Sequence, residues 1–329
     1  MVPIFDLHAD VFMDLVRRQE SRNASPELEE RHLRRMRAGG VAGAALIDCR
    51  MAGEAAGPEH LERFVAAVRR ELAAAWPGAV AALSAADLRA AMESGAFAAV
   101  VGYEGLSATL GDIDWLWRLY GEAGLRIASL THNDDNAFGG GALGSGGGLT
   151  EKGREALAAM NKLGILVDMA HASPATRRDI LAASARPVML SHTSCKAVYD
   201  TGRNLSDEAL RDIADSGGLV GCMTSPAALA PAADRAHHSL ERYMEHLNRM
   251  IGAAGVDHVG LGLHFCEYLY PSEEYPPVAG LEDASRAQAI IDALLASGYS
   301  EGEVEKIAWR NFARVFEEAT AVTAVFTRK

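Results

Sequence analysis

Certain residues in this chain combine a type and a spacing that suit metal chemistry. His8 and Asp10 stand two apart at the end of the apolar run PIFDLHAD. Alternate residues of a strand share a face, so this pair sets an imidazole and a carboxylate side by side. Comparable apolar runs end at Glu104, His132, His171 (with Asp168 just before it), His192 and His264. Each residue alone is weak evidence, because a single histidine is more often a hydrogen-bonded core residue than a ligand. A strand-end glutamate is more often a cap or an ion-pair partner. Together, five of the eleven histidines fall at strand ends. Imidazoles and carboxylates suit zinc best, with manganese, iron or cobalt compatible. His8 and Asp10, the imidazoles of His171 and His192, and the carboxylate of Glu104 between them would hold two divalent ions. Two adjacent ions bind and acidify a bridging water and polarise the carbonyl it attacks, which is metal-assisted hydrolysis. Cys266 follows His264 by two. The pair reads as metal ligands, as an acid/base group with a neighbour, or as packing alone.

The elements that must position these residues follow from periodicity. Eight short apolar runs read as strands: 3–7, 41–47, 98–103, 126–130, 165–169, 187–190, 219–223 and 258–263. Amphipathic runs between them read as helices: 26–38, 58–75, 84–94, 112–122, 151–162, 174–183, 206–215 and 239–252. Two more follow, 282–296 and 301–319. Ser173-Pro174 and Ser206-Asp207-Glu208 are helix-start signals. Strands alternating with helices mean βαβ units and a parallel sheet. Eight units predict an α/β fold of the (β/α)8 TIM-barrel type with extra C-terminal helices, a doubly wound open sheet being the alternative. Active sites of such barrels sit at the C-terminal strand ends, where the residues above collect. No Pro/Gly linker divides the chain, so residues 1–329 are expected to form one domain. The segment GGGALGSGGG, 139–148, lacks the Gly-Lys-Ser/Thr ending of a phosphate loop. It reads as a flexible loop or a mobile cover.

Composition narrows the partners. A formal net charge of −12 argues against nucleic acid and anionic membrane surfaces. No apolar run reaches the ~18–20 residues of a membrane span. The N-terminus has no basic segment before its apolar stretch, so a cytoplasmic location is expected. The cysteines at 49, 195, 222 and 266 lie far apart with no CxxC, and read as small buried apolar residues.

These residues sit in segments that resemble the renal (membrane) dipeptidase family, a branch of the metal-dependent amidohydrolase-like barrels. The matching pieces are FDLHAD, VGYEG, LTHND, the run from GLT to MNKLGILVDMAHAS, LSHTS, TGRNLSDEALRDIADSGGLVG, DHVGLG, GLED and NFARVF. They span nearly the whole chain in the family's order. The resemblance implies that His8 and Asp10 bind a first zinc, that Glu104 bridges two zincs, and that His171 and His192 bind the second. It implies that His132 contacts the substrate carbonyl and that Arg203 pairs with the substrate's terminal carboxylate. It also implies hydrolysis of dipeptides, with tolerance of a D-residue at the second position, and a homodimer.

One stretch departs from the family. Its strand 8 normally ends in Gly-x-Asp-Phe-Asp-Gly, and this chain has Gly262-Leu263-His264-Phe265-Cys266-Glu267. The first aspartate is the family's acid/base group. In its place His264 can act as the proton carrier. It can instead become an extra metal ligand with Cys266. The third reading is that dipeptidase chemistry is lost or redirected, leaving a repurposed enzyme on a specialised metabolite or a non-catalytic metal-binding protein. The expectation carried forward is metal-dependent hydrolysis of a dipeptide or related small amide, with His132 and His264 catalytic.

Overall fold

A computed structural model describes residues 1–21, 25–50 and 57–321. Nine parallel strands form: β1 (Ile4–Ala9), β2 (Val41–Cys49), β3 (Ala79–Ala81), β4 (Phe97–Glu104), β5 (Leu125–Ser129), β6 (Leu166–Asp168), β7 (Met189–Thr193), β8 (Leu219–Cys222) and β9 (Val259–Leu261). Eight of them close a barrel in the order β1-β2-β4-β5-β6-β7-β8-β9, with β9 returning to β1. The eight expected strands all appear. β3 is an addition: it pairs with the start of β4 at residues 97–99, below the point where β5 takes over that edge. Its three residues are too few to read as a strand from periodicity.

Buried strands of a parallel barrel are covered on both faces, which is why they read as continuous apolar runs. Phe5, Leu7, Ile47, Val100, Ile127, Leu166 and Met189 belong to the inner core, while the alternating Ile4, Leu46, Val101 and Val167 join the layer under the helices. The helix Asn311–Thr320 closes the N-terminal mouth of the barrel. Phe312 stacks on Phe5 at 3.9 Å between centroids, and the Asn311 amide donates to the carbonyls of Val256 and Val259. The expected helix 301–319 runs as Glu301–Glu305, a π-helical turn at Lys306–Arg310, then Asn311–Thr320. Ser173 and Ser206 do cap their helices, accepting from the amides of Thr176 and Ala209. Among the described residues no helix is long and apolar enough to cross a membrane.

Two expectations are corrected. The helix Val11–Ser21 follows β1 directly, where no element was expected. Its apolar residues continue the apolar run of the strand, so the change from strand to helix leaves no break in the pattern. The glycine segment 139–148 is tied by hydrogen bonds to the loop after β5, with 139–141 buried and 143–147 exposed. Leu143 N donates to the Asn133 carbonyl at 2.8 Å, and Gly141 N and Ser145 N donate to the Asp135 carboxylate. A Cβ at Gly141 would lie 2.4 Å from the carbonyl oxygens of His132 and Asp134. Glycine is required there because backbone meets backbone, and the loop so held is the one carrying His132 and Asn133.

Candidate metal centre

Strand register sets the level of the site. The ladder from β2 to β6 puts Cys49, Glu104, Ser129 and Asp168 side by side at the C-terminal rim. β1 has a register irregularity between Asp6 and Ala9. It lets both Leu7 and His8 turn inward, against simple alternation. The Asp6 carboxylate holds this kink by accepting from His8 N (3.1 Å) and from Leu263 N (2.8 Å), two residues past the end of β9. Asp168 does the same between β6 and β7, accepting from Ala170 N and Ser191 N, each at 2.9 Å.

The predicted residues converge. Glu104 stands at the centre with its two oxygens facing different groups. Oε1 lies 3.4 Å from His171 Nε2 and 3.8 Å from His192 Nε2. Oε2 lies 3.6 Å from His132 Nε2 and 3.9 Å from His8 Nε2, which in turn is 3.3 Å from Asp10 Oδ1. His8, Asp10 and Glu104 form one group of potential ligand atoms within 4.8 Å of one another, and Glu104, His171 and His192 form a second. Ring orientation is fixed from behind. His171 Nδ1 donates to Asn133 Oδ1 at 2.8 Å, and Ser191 Oγ lies 2.8 Å from His192 Nδ1 and 3.2 Å from His8 Nδ1. Each Nε2 is thereby left facing the centre, the outer-shell arrangement that metal-binding histidines need.

The electrostatics ask for a cation. Burial pushes the Glu104 carboxyl well above its ordinary range, and its Oε1 is buried without a hydrogen-bond partner. Burial would lower His8, but the charges of Glu104 and Asp10 outweigh it and hold the imidazole in its charged form. Burial pushes His132 down to about 4, and His171 and His192 well below their ordinary value. Neutral imidazoles with lone pairs facing an unpartnered carboxylate oxygen are a donor set for a divalent ion.

Arg203 lines the cavity beside the imidazoles. Its Nη2 donates inward, at 2.9 Å to His171 Nε2 and 3.1 Å to His192 Nε2, and not outward to meet a ligand. His264 and Cys266 lie on the other side of the site. His264 Nε2 is 3.4 Å from Asp10 Oδ2, and the Cys266 thiol donates to that same oxygen at 3.3 Å while lying 3.5 Å from His264 Nδ1. The backbone holds His264 in the left-handed region (φ 54°), with its N–H on the His8 carbonyl and its own carbonyl accepting from the Tyr275 hydroxyl. Sequence reasoning did not single out Asn133, Ser191, Asp6 or Tyr275. Asn133 and Ser191 each adjoin a predicted histidine, which is the signal that would have found them. Above the site lies a cavity of about 330 Å³ lined by Asn133, Leu143, Arg203, Met223, Ala228 and His264, among others.

Comparison with known proteins agrees with this architecture. A family model described as membrane dipeptidase, peptidase family M19, matches residues 1–329. An uncharacterized dipeptidase of Schizosaccharomyces pombe is 33% identical over 222 residues, covering 66% of this chain and 52% of the relative. Dipeptidase verJ of Clonostachys rogersoniana is 30% identical over 235 residues, covering 70% and 57%. The match thus spans little more than half the length of these relatives. Among solved structures, a dipeptidase of family M19 has a TM-score of 0.84 at 25% identity, covering 97% of this chain and 98% of that one. A metallopeptidase of Rhodobacter sphaeroides, liganded with a phosphinate mimic of the dipeptide L-Ala-D-Ala, has the same fold: TM-score 0.84, 24% identity, 97% and 99% coverage.

Proposed function

Because the chain belongs to the membrane dipeptidase family, we propose that it hydrolyses a dipeptide or a related small amide with divalent metal ions held by His8, Asp10, Glu104, His171 and His192. The observation that carries this reading is the division of Glu104, with Oε2 turned to the His8 group and Oε1 to His171 and His192. Zinc suits the donor set, with manganese, iron or cobalt compatible. The bound ions would supply Lewis acidity, which activates water and polarises the scissile carbonyl.

The side chains do the rest. His132, kept neutral, donates a hydrogen bond to the substrate carbonyl oxygen as negative charge develops there. A guanidinium and a divalent cation cannot share the Nε2 atoms of His171 and His192, so bound ions would release Arg203 from them toward the cavity it lines. There its planar fork matches a substrate carboxylate. His264 carries the proton from water to the leaving nitrogen, with Asp10 beside it to stabilise the charged ring. The test is elemental analysis together with turnover. About two divalent ions per chain are expected, with cleavage in a panel of dipeptides, L–D pairs and N-acyl amino acids. A metal-loaded protein that cleaves no member of that panel would sink the proposal.

A further inference from the structure

Among the described residues, the walls of the cavity carry charge of one sign only. Its lining contains the guanidinium of Arg203, neutral side chains such as Leu143, Met223 and Ala228, and three imidazoles, but no carboxylate. Among the described residues, the nearby carboxylates are buried, paired or outside the lining. Asp10 is 4% exposed, with Oδ1 on His8 and Oδ2 on Cys266 and His264. Glu104 is equally buried, behind the imidazoles. Asp168 accepts two backbone amides, and Glu267 is paired with Arg35 at 2.5 Å. Asp134 is exposed on the loop after β5 and is not part of the lining.

With the guanidinium released from His171 and His192 by bound ions, a ligand's carboxylate would have a partner here, whereas a ligand's ammonium has none among the described residues. Moving an ammonium out of water into such a space leaves an unpaired charge beside a guanidinium. Resting on the hydrolase reading above, we infer that the substrate is an amide acid with no free ammonium on its acyl side: an N-acyl amino acid, or a dipeptide whose α-nitrogen is blocked. In the reaction the water oxygen bonds to the acyl carbon and the C–N bond breaks. A water proton goes to the leaving nitrogen, releasing a carboxylic acid and a free amino acid.

The test uses a matched pair differing by one group, L-Ala-D-Ala and N-propionyl-D-Ala, with the zinc-loaded protein. The N-propionyl compound should have the higher kcat/KM, by about 10-fold or more, and bind more tightly in calorimetry. His264→Asp, which sets a carboxylate in the wall, should reverse that order. Equal or better turnover and binding of the ammonium-bearing dipeptide by the wild type would overturn the inference. If neither compound is cleaved, the hydrolase reading fails, and calorimetry still decides. Tighter binding of the N-propionyl compound upholds the charge preference. Tighter dipeptide binding, or binding of neither, refutes it.

Discussion

The two sides of the site use the same backbone device for opposite ends. His171 (φ 60°) and His264 (φ 54°) both stand in the left-handed region, where a non-glycine residue is uncommon. On the His171 side Arg203 caps the two imidazole Nε2 atoms, while a carboxylate oxygen is left without a partner. The imidazoles are oriented from behind by Asn133 and Ser191, their Nε2 atoms converge at 3.0 Å, and Glu104 Oε1 has no hydrogen-bond partner. On the His264 side the groups satisfy one another, since Asp10 Oδ2 is shared by an imidazole and a thiol. A strained position alone does not mark a ligand. What distinguishes the His171 side is the buried Glu104 Oε1, which has no hydrogen-bond partner.

This contrast can be broken experimentally. Chelation should abolish hydrolysis and lower the melting temperature, with both restored by zinc. Glu104→Gln should come next, because it removes the charge common to both groups. A loss of about 10³-fold or more in kcat/KM, with fewer ions per chain by elemental analysis, is expected. Asn133→Ala frees the His171 ring and should cost 10–100-fold in metal affinity or activity, roughly the usual price of an outer-shell partner. Cys266→Ser should change metal content little. If it drops the ion count as Glu104→Gln does, the thiol is a ligand and the contrast between the two sides collapses.

The supports beneath each side sharpen it further. Gly141→Ala should destabilise the protein by about 1–3 kcal/mol in denaturant unfolding, since the added methyl meets the carbonyls under His132 and Asn133. Beneath the other side, Asp14 accepts from His32 at 2.9 Å and from Arg31, which also donates to the Tyr268 carbonyl. Burial pushes the Asp14 carboxyl up, but the hydrogen bonds from His32 and Arg31 outweigh it and hold the group below its ordinary range. A lowered folded value means stability present above the unfolded pKa and lost as pH falls through the folded one. Asp14→Asn should therefore cost about 1–2 kcal/mol at neutral pH, and the difference from wild type should shrink in acid.

Much of the fold was legible because parallel strands buried on both faces write themselves as apolar runs, and each run stops where the chain reaches the rim. His8, Glu104, His171 and His192 were readable for that reason. The helix Val11–Ser21 was not, because its apolar residues continue those of β1 without a break. Nor was the support role of 139–148, because a glycine that fits against backbone and a glycine that merely bends look alike in sequence.

The sequence by itself determined which imidazoles and carboxylates stand at the strand ends, and that His264 and Cys266 lie two apart after the last strand. Only the tertiary structure decided what faces what. The Asp6 kink turns His8 inward, barrel closure brings β9 against β1 so that His264 and Cys266 meet Asp10, and Arg203 reaches the pair His171 and His192. These contacts join residues far apart in the chain. Their distances are set by register and closure, which local patterns of residue type do not encode.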